Sequence, residues 1–307
     1  MKSFGHITFR NLSLGLTAVF ALNACGNRND PDSSSVSDDD AETLANAGSE
    51  AVNSVATSQG LVALRGVPRR PSLGTQLLEA ALPSAWAAAC SSALSSCSSV
   101  APYVKSRAID CTLGSRNVGV VGSVQLEYSN AGCSLASAGS VVRTSSVTRT
   151  GAGGRVFKVD SDSHQDYRGN TIGGGQKLSV AADGSKTLEV LGMRRQLLSA
   201  DGTVLADVST RSIEPFAVTG SSFAALNASG GKFEVIHNKA EYVATWTSQD
   251  IVWSADCECP SSGSVSAELS GSKTGTLKLE FGACGEATLT KSDGSTLAVD
   301  LDHCAKL

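Results

Sequence analysis

The sequence predicts a mainly β protein: an antiparallel β-meander forming a soluble barrel or sandwich, with one short N-terminal helix and several disulfides. Three observations carry this: runs with apolar residues at every second position, Asp-Gly pairs between those runs, and nine cysteines in 307 residues. Alternation marks a half-buried strand. Asp-Gly between two such runs marks a hairpin, because the turn requires positive φ.

The only helical stretch is Gln76–Ser96, rich in Ala and Leu, with Pro83 and Ser84 suited to a helix start and Trp86 as its one large anchor. Beyond Cys97 the texture becomes alternating. Val118, Val120, Val124, Leu126 and Tyr128 form the first run, followed by Leu178 with Val180, Leu188 with Val190, Val204 with Ala206 and Val208, and Phe233 with Val235. Tyr242 to Trp246, Val265 to Leu269, Leu277 to Phe281 and Leu297 to Leu301 complete the set. Asp183-Gly184, Asp201-Gly202 and Asp293-Gly294 read as tight turns; Gly230-Gly231, His237-Asn238-Lys239 and the stretch from Ser270 to Gly275 read as looser ones. The domain organisation that follows is a signal peptide over 1–24, a disordered acidic tether over 25–60, a linker with the helix over 61–100, and the β domain over 101–307, with a division into two subdomains near 215–230 left open.

Composition removes two classes of function. With 25 Lys+Arg against 29 Asp+Glu, the chain has no basic excess for a phosphate backbone, so nucleic acid is not a partner. A transmembrane β-barrel needs an apolar outward face and aromatic girdles. Here the outward positions are Ser, Thr, Lys, Glu and Asp, and the whole chain has 3 Trp, 4 Tyr and 8 Phe.

Lys2 and Arg10 precede an apolar stretch from Leu12 to Ala24, the layout of a secretory signal peptide and too short for a comfortable permanent span. The junction Leu22-Asn23-Ala24-Cys25 is similar to the lipobox of bacterial lipoproteins, from which it departs at Asn23. The resemblance, confined to residues 1–26, implies that Cys25 is acylated and becomes the mature N-terminus. Gly26 in place of Asp implies sorting to the outer membrane. Without Lys2 and Arg10 the chain has 23 basic and 29 acidic residues, a net of −6, and residues 26–60 hold all of it, with Arg28 against seven acids. Such composition reads as a disordered spacer. Arg65, Arg69 and Arg70 form a small basic knot in the linker.

Assigning Cys25 to a lipid leaves eight cysteines, Cys90, Cys97, Cys111, Cys133, Cys257, Cys259, Cys284 and Cys304, an even set that reads as disulfides in an exported chain. On an unbroken helix Cys90 and Cys97 would be separated by about 10.5 Å of rise, too far to bond. A hairpin turning near Ser272 sets residue 259 opposite residue 285, so the expected pairs are Cys259 with Cys284 and Cys257 with Cys304. A zinc site from the Cys257-Glu-Cys259-Pro pair and the two later cysteines is the alternative, disfavoured by its single intervening residue.

Asp160, Asp162, His164 and Asp166 alternate as weak candidates for a metal, with a solvated hairpin loop as the plainer reading. The start resembles an EF-hand loop, but Gln165 stands at the sixth position and Thr171 at the twelfth, where Gly and Glu are needed. Lys273-Thr274-Gly275 and Ser229-Gly-Gly-Lys232 match fragments of penicillin-binding enzymes without their helical context. Residues 151–154 form a glycine-rich loop with no following helix, not a phosphate cradle. His237 reads as a turn residue. Trp246 and Trp253 are weighed as a sugar or peptide platform against core packing, which is favoured. No cofactor is implied. The sequence points to an outer-membrane lipoprotein whose β domain acts as a structural or binding module for an envelope protein or glycan. The alternatives are an exported hydrolase or carbohydrate-active enzyme and a cell-surface adhesin.

Overall fold

The computed structural model describes residues 38, 41, 44, 45, 48, 49 and 52, and residues 94–301 except 114–117, 136–137, 152, 221–225, 255–256 and 258. The strands in chain order are β1 (Tyr103–Leu113), β2 (Val118–Tyr128), β3 (Gly139–Thr150), β4 (Val156–Asp160), β5 (His164–Gln165), β6 (Thr171–Ile172), β7 (Gly175–Val180), β8 (Lys186–Leu198) and β9 (Val204–Glu214). They continue with β10 (Phe216–Thr219), β11 (Asn227–Ser229), β12 (Lys232–His237), β13 (Tyr242–Trp253), β14 (Pro260–Gly271), β15 (Gly275–Phe281), β16 (Glu286–Lys291) and β17 (Thr296–Asp300). Fifteen of them form one antiparallel sheet, and β5 and β6 form a separate small hairpin.

The alternation read from the sequence sets this register. In β15 the burial pattern makes Leu277, Leu279 and Phe281 the inward set, and each faces an apolar partner across the ladder to β14 or β16. Both ends of the sheet contribute to one core: Leu126 and Tyr128 of β2 share it with Leu289 of β16 and Val299 of β17. The sheet thus folds over on itself in a sandwich-like arrangement. The same core runs on both sides of residues 215–230. Phe233 stacks on Trp246 with ring centroids 6.4 Å apart and meets Phe216 at 5.7 Å. Each such buried ring contributes roughly 1.5–3 kcal/mol through the water it sheds.

The Asp-Gly turns are real hairpins, but of a different kind from the two-residue primed turn. In each of three, the Gly N–H donates three residues back and the flanking residues close a five-residue loop: Gly184 to Ala181, Gly202 to Ser199 and Gly294 to Lys291. The three glycines have φ of 83°, 86° and 81°. This is the pattern of a turn closed by a left-handed residue. The Asp before each Gly accepts from the N–H two residues on, at Ser185, Thr203 and Ser295. The hydroxyls of Ser185, Ser199 and Ser295, and after them these N–H groups, hold the three carboxyls below the usual range.

The sheet forks twice. On one side of β3, residues 139–143 pair with β7 and residues 146–150 pair with β4. On β8, residues 186–192 pair with β7 and residues 194–198 with β4. Where the branches part, backbones close up. A Cβ on Gly175 would lie 1.9 Å from the Arg143 carbonyl oxygen, and one on Gly192 would lie 2.2 Å from the Gly173 nitrogen. The run Thr171-Ile-Gly-Gly-Gly175 is therefore the sequence signature of the fork.

Part of the segment predicted as a disordered tether is helical. Asp38, Ala41, Leu44, Ala45, Gly48, Ser49 and Val52 have helical backbone, and Ala41, Leu44, Ala45 and Val52 belong to the main core with no exposed surface. Their spacing is that of one helical face. Gly48 lets the backbone reach the Trp246 indole, where a Cβ would stand 3.0 Å from the ring, and Asp38 pairs with Lys291 at the end of β16. The tether expectation is corrected at these positions, because apolar residues on one face outweigh the acidic composition around them. The helix expected over 76–96 lies outside the described residues except at its end, where residues 94–96 are not helical and Ser95 N–H donates to Ser106 of β1.

Disulfides join Cys97 to Cys133 and Cys257 to Cys284, with Cα separations of 5.8 and 5.4 Å, and Cys111 and Cys259 are also disulfide-bonded. Each such bridge contributes about 2–4 kcal/mol by restricting the unfolded chain. The expected Cys259–Cys284 pair is overturned, and with it Cys257–Cys304. The β14–β15 ladder ends at Ser264 and Glu280, so a register carried on to residue 285 counts through a turn: Gly282 and Glu286 close the next hairpin around Cys284. Cys25, Cys90 and Cys304 lie outside the described residues.

Candidate functional site

The four alternating metal candidates lead to the most polar buried region of the molecule. Asp160 ends β4, and the β5–β6 hairpin that follows lies on the outer face of β9 and β12. Ile172 and Tyr167 of the hairpin pack on Ile236 and Val243. Tyr167 N–H donates to Asn238 Oδ1 at 3.1 Å, fastening the tip. The hairpin is a packed strap, not the solvated loop expected.

Asp166 sits at the start of the turn with its side chain fully enclosed. It accepts from Arg168 N–H and Asn170 N–H at 2.9 Å each, from Asn170 Nδ2 at 3.2 Å, and from Arg168 Nε and Nη2 at 2.9 and 2.7 Å. Burial alone would push this carboxyl up, but the hydrogen bonds from Arg168 and Asn170 outweigh it and hold the group below the usual range. Arg168 also reaches Glu234 of β12, which takes a further bond from Arg211 Nε of β9 at 2.7 Å. Two guanidiniums and two carboxylates thus form a continuous chain, Asp166–Arg168–Glu234–Arg211, across the strap and the sheet.

A second cluster adjoins it. Asp207 of β9 accepts from Arg194 of β8 in a two-point pair, from Gln196 Nε2 at 3.1 Å and from Asn238 Nδ2 at 3.1 Å. Its carboxyl, pushed up by burial, is held down overall by those donors, as is that of Glu234 by Arg168 and Arg211. Asp160 behaves oppositely: burial first, and then Asp162, raise it.

His164 does not turn towards the aspartates as a ligand set would require. Its Nδ1 lies 2.9 Å from the Asp162 carbonyl and its Nε2 lies 2.7 Å from Ser209 Oγ. Among the described residues, no three His, Cys, Asp or Glu side chains are grouped to hold a metal. Of the four weak metal candidates, Asp166 is taken up by the turn and Arg168, and His164 by Ser209.

Ser209, His164 and a carbonyl on the far ring nitrogen have the spacing of a nucleophile, a base and its orienting group. Ser209 has no exposed surface, however, and its hydroxyl also receives Asn238 Nδ2 at 2.9 Å. The strap that carries His164 is the element that covers Ser209, so uncovering the hydroxyl removes its base. The pair fastens the strap.

The remaining candidates resolve into packing. Trp246 and Trp253 have 0% and 1% of their surface exposed and form no platform. His237 is buried and stacks on Tyr242 with centroids 4.3 Å apart. Gly231 of the Ser229-Gly-Gly-Lys232 turn abuts the Phe216 ring, with room for no side chain. An open groove of about 320 Å³ lies on the outer face of β12–β16, lined by Lys232, Thr245, Thr247, Glu268, Lys278 and Thr290 among others.

The inward face differs in kind. Arg107, Arg143 and Arg149 are buried. Arg143 gives Nη1 to Gln176 Oε1 at 3.0 Å, and its Nε and Nη2 have no partner. Burial, and then Arg195, press the Arg143 guanidinium down to about 10. Arg149 lies over the Phe157 ring, 5.6 Å from its centroid. Sequence reasoning missed all of these residues, as well as Asp207, Ser209, Glu234 and Asn238. Arginines at inward positions of β1 and β3 are the one signal that was available, since an arginine in phase with Val141 and Val147 must be buried.

No family model, no curated protein and no solved structure matches the chain.

Proposed function

We propose that the protein is a lipid-anchored component of the bacterial cell envelope, acylated at Cys25 and sorted to the outer membrane, whose disulfide-stabilised β domain serves as a structural or binding module. The observation that carries this reading is the Leu22-Asn23-Ala24-Cys25 junction directly after a basic and then apolar leader. Support comes from the chemistry of the β domain, since six described cysteines are in disulfides, which persist in exported proteins and are rare in reducing compartments. Two or three acyl chains on one cysteine hold a protein at a membrane far more firmly than one chain does. No helix among the described residues is long and apolar enough to cross a membrane.

The test is incorporation of labelled palmitate in a bacterial host. The wild-type chain takes up label and fractionates with outer membrane, whereas Cys25→Ala takes up none and is released. Label that survives Cys25→Ala overturns the anchor. Fractionation of labelled protein with the inner membrane overturns the sorting.

A further inference from the structure

We propose that the inward face at the fork between β3 and β8 is a binding site for a soluble oxyanion, a phosphate or carboxylate group, with Arg143 as principal ligand and Arg195 as its neighbour across the fork. Arg143 is the last β3 residue paired to β7, and the β4 ladder begins at Ser146. On β8 the β7 ladder ends at Gly192 and the β4 ladder begins at Arg194 and Arg195. The two arginines therefore approach the fork from its two sides on the inward face. Each occupies an inward position, Arg143 in phase with Val141 and Val147, and Arg195 opposite Val159.

Three features make this an anion site and not a structural ion pair. The Arg143 side chain is buried, yet Nε and Nη2, the two nitrogens a bidentate oxyanion would engage, carry no hydrogen bond. Its neighbour in charge is Arg195, a like charge that adds to the cost of burial at Arg143 and that a bound anion would relieve. On the described inward positions of β1 to β4, β7 and β8, no Asp or Glu occurs: Asp110 and Glu127 are exposed, and Asp160 lies on the outer face with Arg194. Arg107 and Arg149 extend the basic character along the same face. The site is independent of the lipid anchor, so Cys25→Ala protein serves for every measurement below.

Inorganic phosphate is titrated into the purified full chain at constant ionic strength set with chloride, followed by calorimetry and thermal unfolding. Saturable phosphate binding is expected, weakened at least tenfold in Arg143→Met and unchanged within twofold in Arg168→Gln on the outer face. Should Arg143→Met fail to fold, Arg143→Lys, which keeps the charge but loses the fork, carries the comparison. A phosphate response no larger than that of chloride overturns the proposal, as does equal affinity in wild type and Arg143→Met. If binding appears only after the acids at positions 30–50 are replaced by their amides, the occupant is the chain's own carboxylate, and a soluble ligand is overturned.

Discussion

Two groups of arginines lie on opposite faces of the same sheet, and they are solved differently. Under the strap, Arg168, Arg211 and Arg194 each meet a carboxylate, and Asp166, Glu234 and Asp207 take up the donors offered. On the inward face, Arg143 has a glutamine for one nitrogen and nothing for the other two. A protein can tolerate covered charge where it is paired, because the desolvation cost is offset by hydrogen bonds; unpaired, it pushes the group towards its neutral form. The outer cluster is complete as it stands, and fastens a hairpin. Within the inner one the Arg143 guanidinium keeps two nitrogens unbonded, the place where the proposed oxyanion would sit.

Removing a partner on each face should separate the two most sharply. Asp207→Ala leaves Arg194, Gln196 and Asn238 without their shared acceptor and should lower stability by about 1–3 kcal/mol, read as a fall in the urea midpoint at unchanged slope. Arg143→Met in phosphate-free buffer should be neutral or stabilising by about 1 kcal/mol, because a buried charge is replaced by an apolar chain of similar volume. Equal losses in the two variants would erase the distinction between the faces. Glu234→Gln keeps the shape but weakens two guanidinium contacts, and should cost about 1–2 kcal/mol.

Acid should act on the outer cluster and leave the inward arginines unchanged. Asp166, Asp207 and Glu234 are held below their ordinary range in the folded protein. The unfolded chain therefore takes up protons first as pH falls. Their contribution is fully present above the ordinary carboxylate range of about 4 and is lost as pH drops below it. Urea midpoints between pH 7 and pH 3 should fall steeply in wild type and less steeply in Asp207→Asn. The smallest effect sets the baseline. Lys278 and Glu280 form an exposed pair at 2.8 Å, and Glu280→Gln should change stability by no more than about 0.5 kcal/mol.

The contrast also shows what the sequence could disclose. Strands whose inward residues are Val, Leu and Phe, such as β2 and β15, were legible because period two and burial coincide. β3 was not: its inward set Val141, Arg143, Ser145, Val147 and Arg149 places polar residues where apolar ones are expected, so its alternation is hidden. β1 is masked in the same way by Arg107 and Lys105. Asp-Gly located the turns but not their geometry, since both turn kinds need one left-handed glycine. The helical face through Ala41, Leu44, Ala45 and Val52 was written in the sequence, but acids between those positions set the average composition. Ser209 and Asp207 carry no local signature, because their partners lie on other elements, from Gln196 and Arg194, 11 and 13 residues from Asp207, to His164, 45 residues from Ser209.

The buried helical face would also fix how far the domain can stand from a membrane if the proposed anchor at Cys25 holds. With an anchor at Cys25, a spacer running freely to residue 60 would permit a reach of more than ~100 Å at full extension. Because Asp38 is already held by Lys291 and Ala41 already lies in the core, only thirteen peptide steps separate the lipid from the folded body. Even drawn straight they span ~45 Å. On the proposed anchoring, the near edge of the folded body therefore stands within ~45 Å of the bilayer, a distance set by packing and not by the length of the acidic segment.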